Sequence, residues 1–150
     1  MNKRKLGFEI HRTSRIVKRY MDKDAYKSYV ENITGTHGWV IGYLYNNRHR
    51  DIFQKDFEKE FDIRRSTASK ILSLMESNDL IVRESVPYDA RLKRIVLTEK
   101  AIEVQGVMEK AFGKMEEKIK EGISEEELAV FFRVLDKVNK NMERNDSEND

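Results

Sequence analysis

Apolar residues recur every three or four positions through most of the chain, and this spacing predicts a mainly helical protein. The first helix is predicted from about Leu6 to Ile33. Thr36 is then predicted to be the N-cap of a second helix over about His37–Asn46. Because this second helix is apolar on most of its sides, we expect it to be buried at the centre of the domain.

Two glycines, Gly38 and Gly42, lie four residues apart on one face of the second predicted helix. Each costs roughly 1 kcal/mol relative to alanine in a helix interior. The pair therefore either lets a neighbouring helix pack closely or leaves a hollow beside Trp39.

The stretch from Phe53 to Arg83 has the layout of a helix-turn-helix. Phe57 and Phe61 share one face of a short first helix because they lie four residues apart. The second helix opens with polar residues from Arg64 onward, and its apolar residues come later in the sequence. Its N-terminal half is therefore free to face outward, as it does where such a helix meets base edges in the major groove of DNA.

Two strands are predicted directly after this motif, over Leu80–Val86 and Arg94–Thr98. Residues 87–93 between them are expected to form a turn with exposed charge. At the end of the preceding helix, either Asn78 or Asp79 is expected in the left-handed conformation. A helix-turn-helix followed by a two-stranded hairpin is a winged helix.

Two further helices complete the chain. Thr98 is predicted to cap the first, Gly122 to end it, and Ser124–Glu127 to form a capping box for the second. The predicted fold class is mainly α with a small β wing: a winged helix-turn-helix with N- and C-terminal dimerisation helices. We expect a single domain over residues 1–150, with the winged helix at about 36–98, dimerisation helices at about 6–33 and 99–142, and a flexible tail at 143–150.

The apolar stripes of the first helix and of the last two helices cannot all be buried against one small winged helix. We therefore expect a homodimer whose interface is made from the helices at both chain ends. The alternative is a monomer in which these helices form a self-contained cap.

Composition narrows the class of protein further. Hydrophobic residues make up 39% of the chain and charged residues 37%, and no apolar run approaches the length of a membrane span. The N-terminus is basic but has no apolar segment typical of a secretory signal, so we expect a cytoplasmic protein without a membrane partner. The chain has no cysteine, which excludes disulfides and thiolate metal sites.

The charged residues are unevenly distributed along the chain. Residues 1–19 hold seven Lys or Arg and one Glu, whereas residues 141–150 hold four acidic residues and one Arg. Such segregation is expected when one face of a protein meets a polyanion. Ordinary solvated chain ends are the alternative interpretation.

The candidate DNA-binding residues lie on the second helix of the helix-turn-helix and on the wing. Arginine and lysine side chains can bind phosphates or donate to guanine, and short hydroxyl side chains allow close approach to the bases. An Asp89–Arg91 pair at the wing would hold the guanidinium in an extended pose for a narrow minor groove. The alternative is a helix cap with solvated arginines and a solvated hairpin tip. The candidates are Arg64, Arg65, Ser66, Thr67, Ser69, Lys70, Arg83, Asp89, Arg91, Lys93 and Arg94.

A ligand pocket is predicted beside the second helix. Trp39 and Tyr43 lie four residues apart there, and Arg15 on the first helix could reach an anion near them. These residues suggest a site for a small aromatic or anionic effector. Plain core aromatics are the alternative.

No catalytic motif appears in the sequence, so we expect neither an enzyme nor a bound cofactor or metal. A weak metal alternative would join His11 and His37, with Glu9 or Asp51 as a nearby carboxylate. Structural or surface histidines are the simpler interpretation.

The segment from Asp89 to Lys100 resembles the wing and following helix start of the MarR family of bacterial transcription regulators, with its Asp-x-Arg wing and Leu-Thr-Glu-Lys helix start. Residues 66–69 and the strand 80–83 are also similar to their family counterparts. The resemblance covers about 6–142. It implies a dimeric winged-helix protein that binds a palindromic operator and is often released by a small ligand.

The sequence departs from the family pattern at three places. Asp79 stands where the family usually has glycine, so Asn78 is expected to shape the end of the second helix of the helix-turn-helix. Ala101 also stands where the family often has glycine. The second helix also lacks the Pro and Gln with which the family commonly begins it. Because that region commonly lines the effector pocket of the family, the family's ligands cannot be assigned to this chain. A winged helix that contacts protein or RNA without an operator is the alternative function.

Overall fold

The structure is a computed structural model that describes residues 4–22 and 35–146. Its elements confirm the predicted mainly α fold with a small β wing, because the described residues form helices and a two-stranded antiparallel sheet. They are, in chain order, α1 (Leu6–Met21), α2 (Gly35–Asn46), α3 (Gln54–Glu60), α4 (Arg65–Ser77), β1 (Ile81–Val86), β2 (Asp89–Leu97), α5 (Glu99–Lys120) and α6 (Glu125–Asp146).

The first two helices match the predicted pattern except at their ends. The helix predicted over 6–33 is present as α1, and its predicted part from residue 23 onward lies outside the described residues. Thr36 lies inside α2, which already includes Gly35, so its prediction as the N-cap is wrong. The burial of Val40 and Ile41, both fully inaccessible to solvent, confirms that α2 is a central helix.

The helix-turn-helix and the base of the wing share one apolar core. Phe57 of α3 packs in this core with Leu72 and Met75 of α4, and all three are fully buried. Leu80 and Ile81 extend the core to the start of the hairpin, and α5 adds Met108. Burying each such side chain stabilises the fold by roughly 1.5–3 kcal/mol, so α3, α4 and the wing base are fixed to each other.

Two left-handed residues shape α4 and its entry. Asp62, with φ 48°, makes the turn between α3 and α4, and Asp79, with φ 58°, follows the end of α4. The helix end is thus shaped by Asp79 itself, which corrects the expectation that Asn78 takes this role. Asn78 instead donates its side-chain amide to the Leu74 carbonyl at 2.8 Å.

The wing hairpin is longer than predicted. β2 begins at Asp89, so residues 89–93 belong to a strand and the turn is confined to Pro87–Tyr88. The strands pair from Ile81 with Leu97 outward, and the register shifts between Ser85 and Val86. The backbone N–H of Ile95 also donates to Ile52 at 2.7 Å, which fixes β2 to the segment before α3.

The junction between wing and α5 confirms the predicted cap. The Ala101 N–H donates to the Thr98 hydroxyl at 3.2 Å, and that hydroxyl donates in turn to the Asp79 carbonyl at 2.6 Å. Lys100 donates to the Asn78 carbonyl at 2.9 Å. The start of α5 therefore binds the free carbonyls at the end of α4.

The chain divides into two compact units after residue 115, within α5. In the second unit, Gly122 adopts φ 76° after α5, and the Ser124–Glu127 capping box has both of its hydrogen bonds, at 2.9 and 3.2 Å. Helix α6 continues to Asp146, so the tail predicted to fray from residue 143 is helical over its first part. Residues 147–150 lie outside the described residues.

Within the parts of the chain that the structure describes, no helix combines the length and hydropathy needed to cross a membrane.

Candidate nucleic-acid interface

The N-terminus of α4 presents a cluster of cationic and hydroxyl side chains to solvent. Arg64 occupies the N-cap position with an extended backbone, and Arg65 is the first residue of the helix. Ala68 faces the core and is fully buried, which fixes the rotation of the helix. The structure thus brings together the exposed candidates of this helix, Arg64, Arg65, Ser66, Thr67 and Lys70.

Ser69, the sixth candidate on α4, is half-buried and already has a partner. Gln54, the first residue of α3, donates from its side-chain amide to the Ser69 hydroxyl at 3.0 Å. The same amide lies 3.5 Å from the Arg65 carbonyl and 3.0 Å from a Glu58 carboxylate oxygen. Gln54 therefore holds the first turns of α4 against α3, and Ser69 keeps its own hydroxyl proton for another acceptor.

Gln54 was missed by the sequence analysis. Its position as the first residue of α3 is a local feature that the sequence offers. Its partners, however, are 11 and 15 residues away in sequence.

The wing carries the predicted Asp89–Arg91 pair. One Asp89 carboxylate oxygen accepts from the Arg91 backbone N–H at 2.9 Å and from the Arg91 Nε at 3.3 Å. The Arg91 side chain is nevertheless 91% exposed. Asp89 thus restrains the backbone and the Nε of Arg91, while most of the Arg91 side chain extends into solvent.

Arg94 differs from the other wing candidates because its guanidinium is occupied. It donates to Glu84 on the paired strand at 2.8 and 3.0 Å, and to Asp51 at 3.1 Å. These hydrogen bonds, first to Glu84 and then to Asp51, raise the pKa of Arg94. The contacts that the structure shows for Arg94 are therefore within the protein, and its binding to DNA stays a prediction.

The two remaining candidates also have neighbours. Lys93 donates from Nζ to the Ser85 hydroxyl across the hairpin. Arg83 on β1 lies 3.6 Å from a Glu76 carboxylate oxygen of α4. Lys93 stays exposed, while Arg83 is half-buried.

Asp51 is a second residue that the sequence analysis did not assign to this face. It lies in the segment before α3, and its two carboxylate oxygens accept from Tyr88 at 2.8 Å and from Arg94 at 3.1 Å. The hydrogen bond from Tyr88, followed by that from Arg94, holds the pKa of Asp51 below its usual value. The carboxylate therefore stays ionised at neutral pH.

A hollow of about 740 Å³ lies beside α2, and the predicted pocket residues Trp39 and Tyr43 both line it. Trp39 stacks on Phe112 of α5 with ring centroids 4.5 Å apart. Arg15 is not among the lining residues; it is exposed on α1. The ionisable lining residues other than Tyr43 are two carboxylates, Glu60 and Glu109.

The carboxylates of the metal alternative, Glu9 and Asp51, have other partners. Glu9 pairs with Arg4 at 3.1 Å and with Arg12 at 3.7 Å. His37 is only 6% exposed, and burial lowers its pKa. In the described ranges, no three His, Asp or Glu side chains come together as a metal site.

Comparison with known sequences places this geometry in context. A sequence profile described as "MarR family" matches residues 31–92 of the chain. The match spans α2, the helix-turn-helix and the first part of the wing.

Solved structures extend the similarity to almost the whole chain. MepR of S. aureus in complex with DNA has 25% sequence identity and a TM-score of 0.85, covering 95% of this chain and 99% of MepR. The transcription regulator MarR from Oenococcus oeni PSU-1 has 27% identity and a TM-score of 0.69, covering 90% and 96%. The heme sensor protein PefR from Streptococcus agalactiae, in complex with heme, has 27% identity and a TM-score of 0.64, covering 95% of each chain.

Proposed function

Because the chain belongs to the MarR family of winged-helix DNA-binding transcription regulators, we propose that it is a repressor that binds a palindromic operator as a homodimer. The observation that carries this proposal is the cluster of exposed donors at the N-terminus of α4, together with a wing that carries an exposed arginine, Arg91. The likeness to a structure that contains DNA, over 95% of this chain, supports the same use.

In this proposal α4 is the recognition helix. Its first two turns enter the major groove, where Arg65 or Ser69 reads base edges and Arg64 binds a phosphate. Ala68 and Leu72 anchor the opposite side of the helix in the core, so the helix approaches DNA as a rigid body. Gln54 holds Ser69 at 3.0 Å and so restricts the direction in which its hydroxyl points.

The wing supplies the second contact. An arginine on an exposed hairpin contributes little free energy to folding. A narrow A·T-rich minor groove, however, has a strong negative potential that attracts a guanidinium. Asp89 would repel DNA if it were unpaired. Its hydrogen bonds to Arg91 instead direct the guanidinium outward, and Lys93 lies beside it for a flanking phosphate.

The homodimer is supported by apolar side chains that stay exposed on the helices at both chain ends. On α1 these are Leu6, Phe8, Ile10 and Ile16, and on α6 they are Val130, Phe131, Phe132, Val134 and Met142. Exposed apolar residues in such number mark an interaction face on each of these helices. A twofold pair of such chains presents two recognition helices about one helical turn of DNA apart, roughly 34–36 Å, and so selects a palindrome.

The hollow beside Trp39 is the proposed effector site. Trp39, Tyr43, Phe61 and Phe112 line it with aromatic surface, and its volume of about 740 Å³ suits a small molecule. The carboxylates of Glu60 and Glu109 disfavour an anion, so we expect an aromatic ligand that is neutral or positively charged. The anionic ligand that Arg15 suggested gains no support from this lining.

Selection of bound duplexes from a random pool tests the proposed function directly. A palindrome with half-sites one helical turn apart is expected to emerge. The competing function, contact with protein or RNA, predicts no enriched duplex. Binding to single strands that equals binding to duplexes at every salt concentration would favour RNA contact instead.

Titration with aromatic compounds, followed by Trp39 fluorescence, tests the effector site. The chain has a single tryptophan, so the signal reports this hollow alone. Neutral and cationic aromatics are expected to change the fluorescence and to release DNA. If Trp39 and Tyr43 are only core residues, Trp39 fluorescence and DNA affinity should stay unchanged with every compound of the panel.

A further inference from the structure

Asp51 joins the wing to the body of the winged helix through both of its carboxylate oxygens. One oxygen accepts from the Tyr88 hydroxyl in the hairpin turn at 2.8 Å. The other accepts from Arg94 on β2 at 3.1 Å. These donors are 37 and 43 residues from Asp51 in sequence, so the contacts hold separate parts of the chain together.

The wing has few other attachments near its tip. The backbone bond from Ile95 to Ile52 lies at the wing base. Side chains in the outer part of the hairpin are largely exposed, apart from the buried Val86 and the half-buried Asp89. Tyr88 is 64% exposed and belongs to the turn itself. A hydrogen bond from this turn to Asp51 therefore restrains the part of the hairpin that would otherwise move most.

From this arrangement we propose that Asp51 is a positioning residue for DNA binding: it fixes the wing at the angle at which Arg91 enters the minor groove. The inference rests on the proposed function, since it assigns a task to the wing of a DNA-binding protein. Asp51 acts here through Tyr88 and Arg94 and makes no contact with DNA. Arg94, whose guanidinium is shared between Asp51 and Glu84, belongs to the same support.

The sign of the charge effect makes the proposal testable. Asp51→Ala removes one negative charge from the DNA-binding unit, and by charge alone this should strengthen binding to DNA. The proposal predicts the opposite, a loss of operator affinity of about tenfold, because the wing samples more orientations before it binds. Glu103→Ala, which removes an exposed carboxylate from α5, is the matched charge control and should not weaken binding.

A double-mutant cycle with Arg91 separates positioning from a general structural role. If Asp51 acts by placing Arg91, then Asp51→Ala weakens binding in the wild-type chain and has no further effect in the Arg91→Ala chain. Equal losses in both backgrounds, or unchanged affinity of Asp51→Ala, would overturn the proposal. Tyr88→Phe repeats the cycle with the loss of one exposed hydroxyl and decides the question if Asp51→Ala does not fold.

The two proposals fail in different ways in this experiment. The operator is the duplex selected from the random pool, and affinity is measured with the full-length protein at one fixed salt concentration. If the wild-type chain selects no duplex, the proposed function fails and the positioning role falls with it. If the wild-type chain binds its operator and the cycle shows no coupling, only the role of Asp51 is wrong.

Discussion

The carboxylate of Asp89 accepts hydrogen bonds from both the backbone N–H and the side chain of Arg91, at 2.9 and 3.3 Å. Both bonds arise because the two residues are two apart on an exposed strand. The Arg91 side chain remains 91% exposed, so the pair contributes little to folding. This geometry is the basis of the proposed contact between Arg91 and DNA.

Replacing Arg91 with alanine should therefore separate folding from DNA binding. We expect an unchanged melting temperature and a loss of most operator affinity, because the guanidinium meets the negative potential of the minor groove only in the complex. Thermal unfolding and a binding titration measure the two effects. Lys110→Ala, which removes an exposed cation from α5, is the control for net charge and should lose little affinity.

Asp89→Ala tests the direction of the same argument. The positioning role predicts weaker binding, although the substitution removes a negative charge from beside DNA. Tighter binding would mean that charge repulsion alone explains Asp89, and the role assigned to the pair would be wrong.

The two arginines at the start of α4 should respond differently to replacement. Arg64→Ala removes a proposed phosphate contact, so it should weaken binding to all sequences alike and reduce the salt slope of log K by about one. Arg65→Ala removes a proposed base contact and should cost roughly 1–3 kcal/mol at one operator position while relaxing its specificity. Titrations against single-base variants at several salt concentrations distinguish the two. If both variants kept the preferred sequence and the salt slope, α4 would not be the recognition helix.

Hydrophobic periodicity predicted the helices because their apolar residues recur every three or four positions, both where that face is buried, as in α4, and where it is exposed, as in α6. The same signal failed at the wing. Residues 89–93 form part of β2, yet most of them are exposed, so no alternation of apolar and polar residues marks them as a strand. Their strand conformation depends on pairing with β1, which local sequence does not encode.

In the candidate site too, local features were predictable from the sequence and long-range contacts were not. Clustered residues such as Arg64–Thr67 and the Asp89–Arg91 pair were predictable, because neighbours in sequence stay neighbours on one helix or strand. The partners of Arg94 and Ser69 were not predictable, since Asp51 lies 43 residues from Arg94 and Gln54 lies 15 residues from Ser69. Such contacts appear only once the fold brings distant segments together.

A charged substitution on the apolar face of α6 should separate the proposed dimer. Phe131 is 58% exposed, and at 100° per residue Met142, 66% exposed, lies on the same side of the helix. Phe131→Asp is expected to give a folded monomer with reduced operator affinity, because a buried carboxylate in the interface is costly. Mass measured by light scattering checks this result.

Lys140→Asp is the matched control, because at 100° per residue the exposed Lys140 lies about 180° around α6 from Phe131. It should remain a dimer. A dimer that persists in Phe131→Asp with unchanged affinity would place the interface elsewhere.

Stability should fall on mild acidification because of His37. Burial lowers the pKa of His37, so the folded chain favours the neutral imidazole. Below the unfolded pKa of about 6.5 the unfolded chain binds the proton more readily, and stability is lost as the pH falls through the lowered folded pKa. Melting temperatures from about pH 7.5 to about pH 5 should show this decline, and His37→Gln should reduce it.

His49→Gln is the control for the pH effect, since His49 is exposed in the loop after α2. It should keep the full decline. Equal pH profiles for His37→Gln and the wild type would show that another group controls the decline.

The two glycines of α2 should respond differently to replacement by alanine. A Cβ at Gly42 would have nothing within 4 Å, so Gly42→Ala should stabilise the protein by up to about 1 kcal/mol through helix propensity alone. A Cβ at Gly38 would lie 2.6 Å from a terminal methyl carbon of Met108 and 2.7 Å from the Phe112 ring. Such overpacking typically costs about 1–3 kcal/mol, which offsets or exceeds the same helix gain.

The Gly38 substitution also has a local readout. Phe112 stacks on Trp39 at 4.5 Å, so a ring displaced by the new methyl group should change Trp39 fluorescence in Gly38→Ala and leave it unchanged in Gly42→Ala. Denaturant unfolding measures the stability of both variants under one set of conditions. If Gly38→Ala stabilised the chain as much as Gly42→Ala with unaltered fluorescence, close packing of α2 on α5 at Gly38 would not be the reason that this position is glycine.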